Sequence, residues 1–430
     1  MKISLQKYPA YKDSGVEWLG EIPTHWNTLS NKNIFKLKKI QVGKKSSDYV
    51  LLSLTLNGVI KRDMENPQGK FPAEFNTYQE VKKGDFIFCL FDVEETPRCV
   101  GLSYYDGMIT GAYTVMEPFD DFDRNFLYYY YLNLDTDKRL KPLYTGLRNT
   151  ISKENFFSFK SFVPPKQEQT AIAAFLDRKT ALIDQAIDIK QKQIELLKER
   201  RQILIHKAVT RGLNPNVKMK DSGVEWIGEI PEGWEVKRLK DVCYINLNSL
   251  PENTNNNFEF KYVDIGSVTL ESGINNTEEY TFKNAPSRAR RIANVGDTVI
   301  STVRTYLKAI DFIDQVKSSY IYSTGFAILQ PKEFIYPDFL GYFVRSDAFT
   351  EQVTVNSKGM SYPAINSTDI GRLTVVHSKT VEQKQIVEYI ESNNAKIATT
   401  ISLKEQEIEK LKEYKATLIN SAVTGKIKLV

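Results

Sequence analysis

Three arginines stand almost side by side at Arg288, Arg290 and Arg291, and a second group follows at Arg304, Tyr306 and Lys308. The first half of the chain offers Lys44, Lys45, Lys61, Arg62, Arg98 and the pair Arg148 and Asn149, and the second half adds Lys358 and Tyr362. Guanidinium forks and side-chain amides hydrogen-bond in pairs to the edges of guanine and adenine, while Lys and Arg also neutralise phosphates. The chemistry these residue types suggest is non-covalent recognition of a nucleic acid. Each of them alone is equally at home on a solvated surface, so the groups carry more weight than any member.

Covalent chemistry is harder to find. The chain has no glycine-rich G-x-G-x-x-G loop after a strand, no G-x-x-x-x-G-K-[ST] phosphate loop and no Asn/Asp-Pro-Pro-aromatic tetrapeptide. His25, His206 and His377 are isolated from one another, and Cys89, Cys99 and Cys243 form no C-x-x-C pair. A Ser/His/Asp set, a zinc site and a disulfide framework are therefore not expected, and buried cysteines in a reducing cytoplasm are. The amino terminus lacks the apolar stretch of a signal peptide, and no run approaches the roughly 18 apolar residues of a membrane span. With 58 Lys+Arg against 53 Asp+Glu the net charge is +5, which suits a nucleic-acid binder without identifying one. At 430 residues and 41% hydrophobic, the chain should form at least two folded domains.

What must position the basic groups is a frame that occurs twice. Lys12–Trp26 reads KDSGVEWLGEIPTHW and Lys220–Trp234 reads KDSGVEWIGEIPEGW. A second block starting at Glu168 recurs at Glu382 and runs without a gap to Thr210 and Thr424. Between these blocks, residues 27–163 and 235–377 share only short landmarks, such as Gly84-Asp85 and Gly296-Asp297. A repeated frame with two diverged inserts implies a common job for the frame and different jobs for the inserts.

In the second block Ile172, Leu176, Ile183, Ile187, Ile194, Leu197 and Leu204 recur at helical spacing, and Ile386, Ile390, Ile397, Ile401, Ile408, Leu411 and Leu418 repeat the stripe. Both blocks predict long amphipathic helices of about 43 residues, spanning about 65 Å. Pro164-Pro165 precede the first, Thr380 with Gln383 offers a capping box to the second, and Gly212 and Gly425 follow the last turns. A helix with one apolar seam needs a partner, and each supplies the other's, so an antiparallel coiled-coil pair related by a pseudo-two-fold axis is expected, with the inserts at its opposite ends. Ile203, Ile205, Ile419 and Val423 broaden the stripe near the ends, where a further protein could dock.

The inserts read as mixed α/β globules built from short strand-like runs at Tyr49–Leu54, Asp85–Leu90 and Asp297–Ser301. Phe126–Leu132 and Phe339–Val344 are expected to be core helices rather than base-stacking platforms. Ahead of each long helix lies a glycine-hinged loop, Gly146-Leu147-Arg148-Asn149 in one insert and Gly359-Met360-Ser361-Tyr362 in the other, suited equally to DNA contact and to domain closure. The fold class is thus α+β, with boundaries at 1–165 for the first recognition domain, 166–212 for the first long helix, 213–378 for a linker and the second domain, and 379–430 for the second helix.

Taken together these residues resemble the specificity subunits of type I restriction-modification systems, the HsdS family. The resemblance rests on GVEWLGEIPTHW and GVEWIGEIPEGW, on GDTVISTVRTYLKAI with Tyr322-Ser323-Thr324-Gly325-Phe326 after it, and on PPKQEQTAIAAFLD and VEQKQIVEYIE at the starts of the long helices. It implies a non-catalytic, cytoplasmic subunit whose two target recognition domains each read one half of a bipartite, asymmetric site on double-stranded DNA, with the helices as a ruler between half-sites. It also implies two modification subunits that methylate adenine at N6 with S-adenosylmethionine, and restriction subunits that use ATP and Mg2+, with no cofactor on this chain. Two rival classes stay open: a coiled-coil scaffold whose globular ends bind proteins and not DNA, and a complete methyltransferase.

Overall fold

A computed structural model describes residues 6–63 and 74–429. The chain divides into two compact units, one of Met1–Lys190 with Gln406–Val430 and the other of Gln191–Glu405. The long helices are Lys166–Arg211 and Thr380–Val423, so each unit contains the beginning of one and the end of the other.

In the first unit, strands Phe35–Lys38, Thr114–Pro118, Phe86–Phe88 and Val100–Leu102 lie side by side in that spatial order, every neighbour antiparallel. Helix Arg124–Thr136 packs on this sheet, its first turn closed by the Asp123 carboxylate, which accepts the Phe126 N–H at 3.0 Å. Phe126, Tyr130 and Tyr131 are fully buried with Trp26, Phe35, Phe86, Phe88 and Phe156, so this aromatic run is packing, as expected from its composition. The Tyr131 hydroxyl is satisfied by Asn31 at 2.6 Å and Ser161 at 2.9 Å.

The second unit repeats the sheet: Cys243–Ile245, Phe326–Pro331, Thr298–Ser301 and Ile310–Phe312 follow the same spatial order, again all antiparallel. Helix Pro337–Arg345 takes the place of Arg124–Thr136, with Phe339, Leu340, Phe343 and Val344 buried. What differs is added outside this core. The second unit carries another four-stranded sheet, Glu278–Thr281, Glu259–Val263, Ile321–Ser323 and Ala289–Ile292, with one parallel pairing. In the first unit the described residues form two-stranded pieces instead, including Leu52–Thr55 with Gly58–Lys61 and Gln79–Val81 with Gly107–Ile109.

The shared blocks make the same bonds twice. Trp26 Nε1–H donates to Glu168 Oε1 at 3.1 Å, and Trp234 Nε1–H to Glu382 Oε1 at 3.3 Å. Lys12 Nζ reaches the Trp26 carbonyl and Lys220 Nζ the Trp234 carbonyl, both at 2.7 Å. Gln169 Oε1 accepts the Asp123 N–H, which precedes the insert helix, and Gln383 Oε1 accepts the Tyr336 N–H in the same role. Gly425, at the end of the second helix, lies against Trp26, whereas Gly212, at the end of the first, lies against Trp234; both have φ near +70°. That left-handed conformation closes a helix end at little cost only for glycine. In the first unit His25 Nε2 also meets Glu168 at 2.8 Å, a contact for which the second unit has only Gly233.

The seam is buried within each unit. Ile172, Leu176 and Ile183 share one core with Leu418, Ile419, Ala422 and Val423, and Asp184 pairs with Lys415 while Lys190 pairs with Glu407. Advancing along one helix thus means retreating along the other, and the segments run antiparallel. In the second unit Ile386, Val387 and Ile390 pack with Ile205, Ala208 and Val209. Ile187, Leu197, Leu204, Ile401 and Leu411 are half-buried, and Ile194, Ile397, Ile408 and Leu418 are buried.

Two local expectations are corrected. Ile205, Ile419 and Val423 do not offer a docking face, because all three are core residues; only Ile203 is exposed. Nor does Thr380 form a capping box with Gln383. Its hydroxyl donates to the Phe334 carbonyl at 3.1 Å and the Gln383 amide is spent on Phe334, Ser378 and Tyr336, so tertiary contacts replace the local cap.

The landmark Gly84-Asp85 and Gly296-Asp297 is a pair of equivalent turns with unequal electrostatics. Asp85 is buried and neutralised by Lys38 Nζ at 2.7 Å. Asp297 is equally buried and accepts the Asn294 N–H at 2.7 Å, with no ion pair to it among the described residues, so burial pushes its carboxyl up to about 6. A folded-state value above the unfolded one costs nothing below the ordinary carboxylate range, costs progressively more as the pH rises between the two values, and costs the full amount above the folded value. Asp297→Asn should therefore stabilise the protein at pH 8 by roughly 2 kcal/mol, a gain that fades as the pH falls from about 6 towards about 4. Thermal unfolding of both forms across that range checks this, and a variant no more stable than the parent at pH 8 would contradict it.

Candidate nucleic-acid interface

In the second unit the loop after strand Thr298–Ser301 carries Arg304 and Lys308, both with left-handed backbone (φ +51° and +46°), on either side of a single 3-10 turn. This conformation is uncommon for residues with a Cβ, and it persists here because the loop is held from outside. The Thr302 N–H and hydroxyl both donate to the Gly325 carbonyl, at 2.8 and 2.9 Å. The Thr302 carbonyl also accepts the Ile365 N–H at 2.8 Å, and the Thr305 N–H donates to the Pro363 carbonyl at 3.3 Å. Those last bonds clamp the glycine-hinged loop onto it. Lys358 and Ala364 exchange both backbone hydrogen bonds, at 2.8 and 2.9 Å, so residues 359–363 form a closed turn. Across the junction the Arg304 guanidinium lies 5.2 Å from the centre of the Tyr362 ring.

Arg304, Tyr306, Lys358 and Tyr362 are thus brought to one surface, with Tyr306 57% and Tyr362 66% exposed. Arg288 joins its edge: the Thr324 N–H donates to the Arg288 carbonyl at 2.8 Å, and Thr324 is the neighbour of the Gly325 that anchors Thr302. Three of the proposed basic residues are not presented in this way. Lys308 turns to Glu351 at 3.3 Å and Asp347 at 3.6 Å. Arg290 lies over the Phe282 ring at 4.6 Å. Arg291 is half-buried, donates to Ser249 Oγ at 3.2 Å, and is held below the usual arginine range by burial. These are packing positions on strand Ala289–Ile292 and at the base of the loop.

The first unit distributes its basic residues over three places. Lys44 and Lys45 are exposed on the turn Gly43–Asp48, above the small cluster of Val42, Leu51 and Met108. Lys61 lies over the Tyr105 ring at 4.9 Å, and the Arg62 N–H donates to the Leu51 carbonyl, so both border the same cluster. Arg98 is half-buried beside Tyr128 and Asp135. It lines a groove of about 810 Å³ between helix Arg124–Thr136 and the paired long helices, together with Asp184, Lys412 and Lys415.

Arg148 and Asn149 stand at the turn of the hairpin formed by Tyr144–Thr145 and Thr150–Ile151. Arg148 Nε donates to Asp92 at 2.9 Å and Asn149 Nδ2 to Glu95 at 3.0 Å. The Arg148 side chain remains 70% exposed. The two matched loops thus differ in charge: carboxylates brace the first, whereas in the second Arg304 rests on the Tyr362 ring.

Among the described residues no group of three His, Cys, Asp or Glu side chains is placed to hold a metal ion, and no helix is long and apolar enough to cross a membrane. Cys89, Cys99 and Cys243 are buried thiols; desolvation pushes Cys243 up to about 12, which keeps it unreactive.

The family model for the type I restriction modification DNA specificity domain matches residues 102–199 and 231–413, one match on each copy of the frame. The chain belongs to that family. Its members are the non-catalytic specificity subunits of these systems, and two relatives from Methanocaldococcus jannaschii are described as type I specificity subunits, one of them putatively. The type I restriction enzyme MjaVIII specificity subunit is 26% identical over 66% of each chain, and the putative MjaX specificity subunit is 24% identical over the whole of both. Among solved structures, a chain described under complex assembly and conformational transition of the type I R-M system matches with TM-score 0.66 at 14% identity, over 94% of this chain and 98% of that one. The HsdS subunit from Thermoanaerobacter tengcongensis matches with TM-score 0.53 at 16% identity over the same shares. At such identities the two likenesses speak for the fold.

Of four exposed apolar residues on the first long helix of this specificity subunit, Ile203 stands out in the sequence pattern and Leu182, Ile189 and Leu196 do not. Leu182 and Ile189 in the first unit and Leu196 and Ile203 in the second are 46 to 62% exposed, on the first long helix at intervals of seven. The spacing is present in the sequence, but the stronger seam beside it masks the second stripe.

The loop geometry has a direct consequence. A Cβ on Gly359 would stand 3.1 Å from the Tyr362 carbonyl oxygen at φ +104°. Gly359→Ala should loosen the turn by about 1–2 kcal/mol, which is roughly tenfold faster hydrogen exchange at the Lys358 and Ala364 amides. Unchanged exchange at those amides would show that the turn does not depend on the glycine.

Proposed function

We propose that this specificity subunit binds double-stranded DNA, each unit reading one half of a bipartite, asymmetric site, and so directs adenine-N6 methylation and restriction by partner subunits. The observation that carries this reading is the contrast within the repeat. The same Trp, Glu and Lys bonds recur in both units, while the surfaces beside them carry different exposed cations, amides and aromatic rings. A repeated support beneath two unlike polar surfaces is what two different half-sites require, because base edges are told apart by donor and acceptor pattern. Arg304 over Tyr362 beside Lys358 supports the DNA reading through its positive charge.

Exposure supports a division of the candidate site residues, with Arg62 and Asn149 half-buried and the others of each DNA-facing set exposed. In the second unit Arg304, Tyr306, Tyr362, Lys358 and Arg288 are the DNA-facing set, and Arg290, Arg291 and Lys308 support it. In the first unit the set is Arg148, Asn149, Lys44, Lys45 and Arg62, with Arg98 set back in the groove. S-adenosylmethionine, ATP and Mg2+ belong to the modification and restriction subunits. The modification subunits dock on the long helices, where Leu182, Ile189, Leu196 and Ile203 are exposed.

Binding to duplexes in which one half-site at a time is scrambled tests this reading. Arg148→Ala and Arg304→Ala should each cost about 1–3 kcal/mol, one through each half-site, and each should lower the salt dependence of binding. Equal losses at both half-sites, or binding indifferent to salt, would contradict separate readers.

A further inference from the structure

The two most exposed large apolar side chains among the described residues are Leu147 and Met360, at 104% and 102%; the next is Val381 at 72%. Each directly follows the positive-φ glycine of the loop ahead of a long helix, Gly146 (φ +70°) and Gly359 (φ +104°), although the second turn is one residue longer than the first. The inserts around them have diverged in strand number and charge, yet both set one flexible apolar side chain at the apex of a turn.

Neither apex is loose. The Leu147 turn is pinned on one side where the Asp92 and Val93 N–H groups donate to the Arg148 and Asn149 carbonyls, and on the other where the Ile151 N–H donates to the Leu90 carbonyl at 2.8 Å. The Met360 turn is pinned by the mutual bonds of Lys358 and Ala364 and by Ile365 on Thr302. A held turn that offers a bare apolar side chain is suited to entering something, since an exposed side chain of this kind gains nothing from water.

What it could enter is narrowed by its neighbours. Arg148 and Asn149 follow Leu147, while Lys358 and Tyr362 lie two residues to either side of Met360, with Arg304 over the Tyr362 ring. The apolar surface is one side chain wide, which is too narrow for a hydrophobic protein interface; Lys358 and Arg304 make the Met360 loop cationic, while Asp92 and Glu95 brace Arg148 and Asn149 beside Leu147 and leave the Arg148 side chain 70% exposed towards a polyanion. Stacked bases bordered by phosphates have this character, and Leu and Met are among the side chains that wedge between base steps. We propose that Leu147 and Met360 are apolar wedges, one for each half-site, that insert at a base step and unstack it while the neighbouring cations hold the backbone. The proposal rests on the reading of each unit as a DNA binder.

The test uses the full chain assembled with its modification subunits and duplexes carrying single 2-aminopurine substitutions through each half-site. Both side chains are outside the cores, so Leu147→Ser and Met360→Ser leave the fold intact, which melting temperature verifies. Leu147→Ser should abolish the unstacking fluorescence in one half-site and Met360→Ser in the other, each with about tenfold weaker binding, while Leu147→Met keeps the signal. A mismatch already placed at the wedged step should restore binding of the Ser variant to within about threefold, since the unstacking is then done beforehand. Sequence-specific binding with unchanged fluorescence and affinity in both Ser variants would overturn the wedge and leave the DNA reader standing. Loss of modification-subunit assembly in the variants would overturn it in favour of a protein contact. Absence of sequence-specific binding by the parent complex would overturn both readings.

Discussion

A long helix with a single apolar seam cannot persist alone in water, and everything else in this molecule depends on how that seam is covered. Ile172, Leu176 and Ile183 are covered by Leu418, Ile419 and Val423 in one unit, and Ile386 and Ile390 by Ile205 and Val209 in the other. Because each unit needs the beginning of one helix and the end of the other, neither half of the sequence completes its own core. The aromatic cores then have a fixed wall to pack on, through Trp26 against Gly425 and Trp234 against Gly212.

From that wall outwards, constraint weakens in steps. The Trp blocks and helix starts are locked by buried or half-buried polar bonds that recur in both units, and substitutions there leave unsatisfied donors. The four-stranded sheets keep the same strand order but not the same side chains. Beyond them the second unit adds a whole sheet where the described residues of the first form short strand pairs. The two units differ most outside the shared core, and the loops that carry Arg148, Arg304 and Tyr362 are held by different partners in each. A protein organised in this way can change what its surfaces recognise without disturbing what holds it together.

How much of this was legible in the sequence follows the same gradient. The seam, the duplicated blocks and the core helices at Phe126 and Phe339 could be read because periodicity and repetition report burial directly. The supposed cap at Thr380 could not, since Phe334, 46 residues earlier, and Tyr336 compete for the same side chains. The basic residues could be named as candidates, but which are presented and which are packed was hidden: Arg290 lies on Phe282 and Lys308 faces Glu351 because of partners from distant strands and helices. Charge alone does not tell a presented guanidinium from a packed one. The exposed Leu147 and Met360 were visible in the aligned loops, yet only the structure reveals how fully exposed they are.

The central claim is that the common frame supports two different readers of one DNA site. Its most direct measurement is a map of adenine methylation in cells with the gene intact, deleted and restored, with the partner subunits present and active throughout. The expected result is one bipartite, asymmetric methylated motif that disappears on deletion and returns on restoration. A methylation map that is the same in all three, despite active partner subunits, would contradict it.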